Sequence, residues 1–429
     1  KKGKPIKGKP TSVESCAVFY KNEFKEEDYI TNHIVSRLLK NTKDGLSFEF
    51  DYYDFYEIPR ESVLEDDTIW RCNLLGGNRL NHLIKKLNKK TNFQTNLEDY
   101  LLNHIGIEQD SFSEGYMRGY GDDSKESEII TSNLNLLSKN FDVKSYKLSE
   151  INSNQKFIRT RVEKKLYKTP LITIKELISN NKFPTKFHSV ENYIPFDSRI
   201  VGISFSEIEN GLEISKKLYS ILQKNEKINA LKTLGTCSQF FLGSSSVIQK
   251  ADINNWIIPL EDEEIKLSDS EKIVMNDVLD FIYPSWYEKE AVINKKEASI
   301  KELIQFSDVF NQTFNSIYKK EKKEQKLAVI YEGTTFFALE FEFTDKKITE
   351  PKQVDKTESD KQIESLISNQ YGKNNLINKV LRIYRPNKIT LIKPKKLRFW
   401  LKSIALQDSD EIFDDIIENG LKWEKKNLF

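Results

Sequence analysis

The chain has 429 residues, 38% of them hydrophobic and 31% charged, with a formal net charge of only +2. That length predicts two to three domains, and the apolar content is enough to build real cores in a mixed α/β globular protein. The charge balance excludes a polybasic tail protein, and no apolar run approaches the roughly 20 residues of a membrane span.

Three widely spaced cysteines, Cys16, Cys72 and Cys237, form neither a disulfide framework nor a CxxC knuckle and fit a reducing cytoplasm. His33, His82, His104 and His188 show no metal-ligand spacing, so no metal site is expected. No signal peptide is visible. The chain opens Lys-Lys-Gly-Lys without a Met, as expected of a fragment of a longer protein.

In chain order, the loose, basic opening gives way to a buried strand over Val13 to Tyr20. Apolar Ile30, Ile34 and Leu38 fall at helical spacing and predict a helix from Tyr29 to Lys40; Leu46 to Tyr53 alternates as a strand. A helix is predicted over Asn78 to Lys90. The Gly115 to Asp123 stretch reads as a polar connection. Pro170 to Ile174 and Arg199 to Ile203 are apolar enough for central strands. Helices follow at Gly211 to Leu222 and Lys227 to Phe241, the second stopped by Gly243-Ser-Ser-Ser246.

Beyond the acidic Glu261 to Glu264 boundary, helices are predicted at Glu271 to Tyr283 and Ala298 to Lys323. Leu327 to Thr344 reads as a hairpin turning at Glu332-Gly333. Lys346 to Ser359 is expected to be a polar loop. Val380 to Lys393 reads as a second hairpin turning at Arg385 to Lys388, and a helix closes the chain around Ser409 to Asn419. These elements group as an N-terminal connector (1–140), a middle domain (141–265), a helical spacer (266–326) and a small C-terminal α+β domain (327–429).

Catalytic motifs do not emerge. An adenine-N6 methyltransferase needs an Asn-Pro-Pro-Tyr type tetrapeptide to hold the flipped base, and the sequence contains no Pro-Pro dipeptide. Gly119-Tyr-Gly121 is followed by acidic residues rather than by a helix entry, and no GxxxxGK[ST] or GxSxG pattern occurs. Asp408 and Asp410 lack the spaced Glu-x-Lys of a nuclease and read as the acidic start of a helix. No cofactor is expected in this chain.

One order of motifs is informative. Pro170-Leu-Ile-Thr-Ile174, Arg199-Ile-Val-Gly-Ile203, Leu218-Tyr-Ser-Ile-Leu222, Gly243-Ser-Ser-Ser246 and Lys250-Ala-Asp-Ile253 with Pro259 resemble the target-recognition region that follows the catalytic domain in adenine-N6 DNA methyltransferases, including fused restriction-modification enzymes. Upstream, Ile69-Trp-Arg-Cys-Asn-Leu-Leu-Gly-Gly77 is similar to the family's connector, and Ser15-Cys-Ala-Val-Phe-Tyr20 to the last strand of its catalytic domain. The resemblance implies a methyltransferase-type target-recognition domain without the catalytic domain. It implies double-stranded DNA as ligand, and a methyltransferase catalytic subunit that binds S-adenosylmethionine as partner. The same resemblance implies room for a nuclease subunit as a further partner, and phage defence as the setting.

Basic residues supply candidate DNA contacts, because phosphates are met by Lys and Arg on loops and helix ends. Lys156, Arg159, Arg161, Lys164, Lys165 and Lys168 form one group, which reads equally as an amphipathic surface element. Lys182 and Lys186 lie in a plausible reading loop. Gly76 and Gly77 fit either a close phosphate approach or a tight turn. Arg382, Arg385, Lys388, Lys395 and Arg398, interleaved with Tyr384 and Trp400, suit a nucleic-acid backbone or a protein partner. The alternatives are a non-catalytic scaffold or sensor that binds proteins through its C-terminal domain, and a divergent nuclease.

Overall fold

The computed structural model describes residues 30–35, 37–42, 45–65, 67–115, 135–136, 149–150, 164–176, 185–189, 193–194, 196, 198–237, 248–261, 264–287, 292–320, 322–371 and 380–426. The expected strand over Val13 to Tyr20, most of the Gly115 to Asp123 connection and the Gly243 to Ser246 turn lie outside them. The fold is mixed α/β with several small sheets. The chain divides into two compact units, one of Lys1–Lys25 with His82–Leu267 and the other of Glu26–Asn81 with Ser268–Phe429. Among the described residues no helix is long and apolar enough to cross a membrane.

The first elements are β1 (Ile30–Ile34), β2 (Arg37–Thr42), β3 (Gly45–Glu49), β4 (Phe55–Pro59), α1 (Arg60–Glu65), α2 (Thr68–Leu75) and α3 (Asn78–Asn88). The helix expected over Tyr29 to Lys40 is therefore two strands: β1 pairs antiparallel with β4, and β2 with β3. Ile30 and Ile34 are more than half exposed, so their four-residue spacing is also a same-face strand spacing and marks no buried helical stripe. Gly76 and Gly77 end α2, both amides donating to the Cys72 carbonyl at 2.9 and 2.8 Å. Gly77 has φ +79° and lies under the Tyr56 ring, where a Cβ would come within 3.0 Å. A tight, covered turn accounts for both glycines.

The chain continues through β5 (Gln94–Asn96), α4 (Leu97–Asp99), β6 (Phe112–Glu114), β7 (Asn135–Leu136), β8 (Ser149–Glu150), β9 (Leu171–Lys175), β10 (Thr185–His188), β11 (Ile200–Ser204), α5 (Gly211–Lys224), α6 (Glu226–Thr236), α7 (Lys250–Asn254) and β12 (Ile257–Pro259). β9 and β11, expected as central strands, lie at the centre of an antiparallel sheet of order β10-β9-β11-β6. Their near-continuous apolar runs follow from burial on both faces. Gly202 in β11 lets the Phe196 ring lie on the strand; a Cβ there would sit 2.2 Å from it. α6 is buried from Ile228 to Gly235, polar Asn229, Lys232 and Thr233 included.

The second unit adds α8 (Asp269–Asp277), α9 (Tyr283–Tyr287), α10 (Val292–Lys295), α11 (Ile300–Ile317), β13 (Glu324–Glu332), β14 (Phe336–Thr344), β15 (Lys352–Val354), α12 (Lys356–Tyr371), β16 (Leu381–Arg385), β17 (Lys388–Pro394) and α13 (Lys402–Lys426). Both expected hairpins form, turning at the expected places. The polar loop expected over Lys346 to Ser359 instead contains β15, parallel to β13, and the start of α12. A three-residue edge strand carries too little pattern to be read from sequence.

The sheet order is β15-β13-β14-β17-β16. Alternation along β14 sends Phe337, Leu339, Phe341 and Phe343 to one face. There they meet Phe306, Phe310 and Phe314, four residues apart on α11. Ala338 goes to the other face with Ile363 of α12. The same parity in β17 carries Lys393, after Ile389 and Leu391, into the aromatic face. Lys393 is wholly buried, 4.4 Å from the Phe306 ring centre and 5.0 Å from that of Trp400. It donates to the Phe399 carbonyl at 3.1 Å and pairs with the equally buried Asp408.

Burial pushes the Lys393 ammonium down to about 8, against the pull of Asp408. Asp408 also accepts from Tyr53 Oη and from Arg382, each at 2.9 Å. The two ends of the pair are thus unequal. Removing Lys393 leaves Asp408 matched by Arg382, whereas removing Asp408 leaves a buried ammonium facing aromatic rings. Asp408→Asn is therefore expected to cost about 3–5 kcal/mol and Lys393→Met distinctly less, measured by urea unfolding of the full chain. The reverse ranking would contradict this arrangement.

Candidate functional site

The polar face of α6 is where the first unit departs from ordinary core construction. Asn229, Lys232 and Thr233 stand three and four residues apart and so share one side of the helix. Each meets the segment that leads into β12. Asn229 Oδ1 accepts from the Ile257 amide at 2.7 Å, Thr233 Oγ1 from Trp256 Nε1 at 3.1 Å, and Lys232 Nζ donates to the Asn255 carbonyl at 2.5 Å. Asn255 ends α7, so the lysine meets a carbonyl at a helix C-terminus.

β12 in turn pairs with β5, setting Asn96, Thr95 and Gln94 opposite Ile257, Ile258 and Pro259. Between α3 and β5 the chain reverses in a tight turn. The Thr91 and Gln94 backbones bond each other at 3.2 and 3.4 Å, and the Phe93 amide donates to Thr91 Oγ1 at 3.2 Å. The turn holds Phe93 outward, 65% exposed, three residues after Lys90. Gln94 Nε2 donates back to the Lys89 carbonyl at 2.9 Å, fixing the end of α3 against the turn.

These elements enclose a cavity of about 330 Å³ lined by Leu87, Asn88, Lys89, Lys90, Gln94, Thr95, Asn96, Lys232, Thr236, Asn255 and Ile257. Every charge in that lining is positive, and four side chains are primary amides. Lys90 is paired with Asp99, outside the lining. Lys232 is only 7% exposed. Among the described residues it has the Asn255 carbonyl as hydrogen-bond partner and no carboxylate within ion-pairing distance, so two of its three N–H donors are unused. Burial, helped by the neighbouring Lys90 charge, pushes the Lys232 ammonium down to about 8. Among the described residues no carboxylate, cysteine or histidine is in the lining, and the arrangement can hold an anion and hydrogen-bond a polar edge beside it.

The residues singled out in the sequence fall elsewhere. Lys156, Arg159, Arg161 and Lys182 lie outside the described residues. Lys164 opens a short 3-10 turn, Lys164–Tyr167. Lys165 pairs with Glu108 at 2.7 Å and Glu207 at 3.4 Å, which raises its pKa. Lys168 is exposed, and Lys186 is half-buried on β10.

In the second unit every member of the C-terminal group is engaged. Arg382 meets Asp408 at 2.9 Å and also Glu411; Arg385 and Lys388 share the buried Glu340 at 2.5 and 2.6 Å. Lys395 meets Glu332 at 2.9 Å, and Arg398 is buried against Asp51. Burial works against the Arg382 charge, but Asp408 and Glu411 raise its pKa overall. The structure brings these five into one unit, yet divides them among four ion-pair groups rather than into one basic surface.

Sequence reasoning missed Lys89, Lys90, Phe93 and Lys232. Two signals were available: three polar residues, Asn229, Lys232 and Thr233, at one-face spacing within the Ile228 to Leu234 helix, and an aromatic three residues after a Lys-Lys pair at a helix end. Compared with known proteins, the chain matches no family model and no curated protein.

The buried lysine sets a pH dependence. Its folded-state pKa of about 8 lies below the ordinary 10.5. Between those values the unfolded chain binds the extra proton, so Lys232 makes stability rise with pH there. The stability difference between the natural chain and Lys232→Met is expected to move in favour of the natural chain from pH 7.5 to pH 10. A difference that stays flat in paired urea titrations would show the amine to be unperturbed.

Proposed function

We propose that the chain is a non-catalytic DNA-recognition component of an adenine-N6 DNA methyltransferase or restriction-modification assembly. It would act in the cytoplasm in defence against phage. The first unit would be the methyltransferase-type target-recognition domain, followed by a helical spacer and a C-terminal α+β domain. Double-stranded DNA is the ligand. A separate catalytic subunit binds S-adenosylmethionine and performs the transfer, and a nuclease subunit is a further partner.

Two things support the reading. The first is the order of motifs from Ser15 to Pro259 that resembles the target-recognition region of those enzymes. The observation that carries it is the turn at Phe93: an outward aromatic three residues after Lys90, where Lys89 and Lys90 line an amide-rich cavity in the unit that holds most of those motifs. Lysines neutralise phosphates, amides address base edges, and an exposed ring stacks on or wedges between bases.

A second reading applies to the C-terminal domain. Because Arg382, Arg385, Lys388, Lys395 and Arg398 already meet carboxylates of their own unit, a protein-binding scaffold suits it better than a DNA contact.

The test is a duplex titration with the full chain at two salt concentrations. With about four phosphate contacts, affinity should fall on the order of a hundredfold between 50 and 200 mM salt. Lys89→Ala and Phe93→Ala should each weaken binding several-fold, whereas Lys352→Ala, on the exposed edge of the C-terminal sheet, should not. Salt-insensitive binding, or none, would contradict the reading and leave the scaffold.

A further inference from the structure

Taking a lysine out of water costs several kcal/mol unless a counter-charge meets it. Lys232 is 7% exposed, meets one carbonyl and, among the described residues, no carboxylate. It also lines a cavity large enough for a small ligand, at the lower end of the volumes that such sites occupy. The charges can be tallied. Lys90 is balanced by Asp99. Lys89 and Lys232 have no such balance among the described residues, and no acid lines the cavity. Two positive charges are therefore left facing one space.

A carboxylate would neutralise one of them, as would an internal phosphodiester. A phosphate monoester carries about −1.5 to −2 at neutral pH and three acceptor oxygens, which matches both lysines and the unused N–H groups of Lys232. The amides of Asn88, Gln94, Asn96 and Asn255 and the apolar walls of Leu87 and Ile257 leave room for the body of the molecule that bears it.

We propose that this cavity is a binding site for a phosphate monoester dianion, held between the buried Lys232 and the exposed Lys89. The site shares Lys89 and the cavity with the DNA-recognition reading, but that reading concerns internal phosphodiesters and the Phe93 turn, whereas the phosphate site turns on the buried Lys232. A monoester has two sources, a free phosphorylated small molecule or the 5′-terminal phosphate of a nucleic-acid strand. Both present the same group to the same lysines.

The experiment is calorimetric titration of the full chain with inorganic phosphate, a 5′-mononucleotide and acetate. Short duplexes with and without a 5′-phosphate form a second series. Saturable binding of inorganic phosphate but not acetate is expected. Charged hydrogen bonds of this kind predict a loss of about tenfold or more in Lys232→Met and a smaller loss in Lys89→Ala, a surface change that leaves the core untouched. Affinity should fall as pH rises through 8 to 9, where the unoccupied site gives up the Lys232 proton; a lysine that only braces the Asn255 carbonyl would not produce that profile.

Tighter binding of the 5′-phosphorylated duplex identifies a strand end as the source, and tighter binding of the mononucleotide identifies a small molecule; either outcome upholds the site. No saturable phosphate binding, acetate binding as tight as phosphate, or affinities unchanged in both variants would overturn it.

Discussion

A charge withdrawn from water has to be met by something, and the two units meet that demand in opposite ways. In the second unit the parity of β17 forces Lys393 into a layer of aromatic rings, where an isolated ammonium would be untenable. Asp408 stands against it on α13, and Arg382 and Tyr53 complete the set of partners. The helix, the outer hairpin and the Asp51–Tyr53 turn are thereby tied to one buried carboxylate. Such a network specifies a geometry more than it adds net stability, because desolvation consumes most of the Coulombic gain. In the first unit Lys232 is also buried, though 7% of it stays exposed, and its neighbours are a backbone carbonyl, another lysine and a cavity. The network in the second unit closes a core; the cation in the first unit is left beside an open volume, and that difference motivates the proposed phosphate site.

The contrast also shows why density of charge along the chain is a poor guide to a charged surface. The stretch from Arg382 to Arg398 is the richest mixture of basic and aromatic residues in the sequence, and its members are divided among Asp408, Glu340, Glu332 and Asp51. Glu340 and Glu332 lie 45 to 63 residues back on β14 and β13, and Asp51 lies in the turn before β4; only Asp408 on α13, 26 residues from Arg382, is near in sequence. By contrast, Lys89, Lys90 and Phe93 are unremarkable in composition and gain their interest from a four-residue turn that holds the ring outward.

Legibility followed pattern length. The strands β9 and β11, the helices α3, α5 and α11 and both hairpins of the C-terminal sheet were readable because each carries a full period of burial or an explicit turn. Ile30, Ile34 and Leu38 misled, since residues four apart share a face in a strand as well as in a helix. β15 and the early start of α12 were hidden in a polar run: three residues of edge strand show little alternation, and α12 buries Ile363 fully but few other side chains. Lys250 to Ile253 with Pro259 was read as one unit of the motif order. Its division into α7 and β12 depends on partners in α6 and β5. For the same reason, the burial of Lys232 is a tertiary fact that no local rule supplies.

The account rests on DNA meeting the first unit at the Phe93 turn and not at the C-terminal sheet, and lysine-reactive footprinting of the full chain with and without duplex DNA tests this most directly. It predicts protection of Lys89, with the exposed Lys352, Lys356 and Lys361 of the second unit as reactive as before. Protection confined to the second unit, or no protection at either, would contradict it.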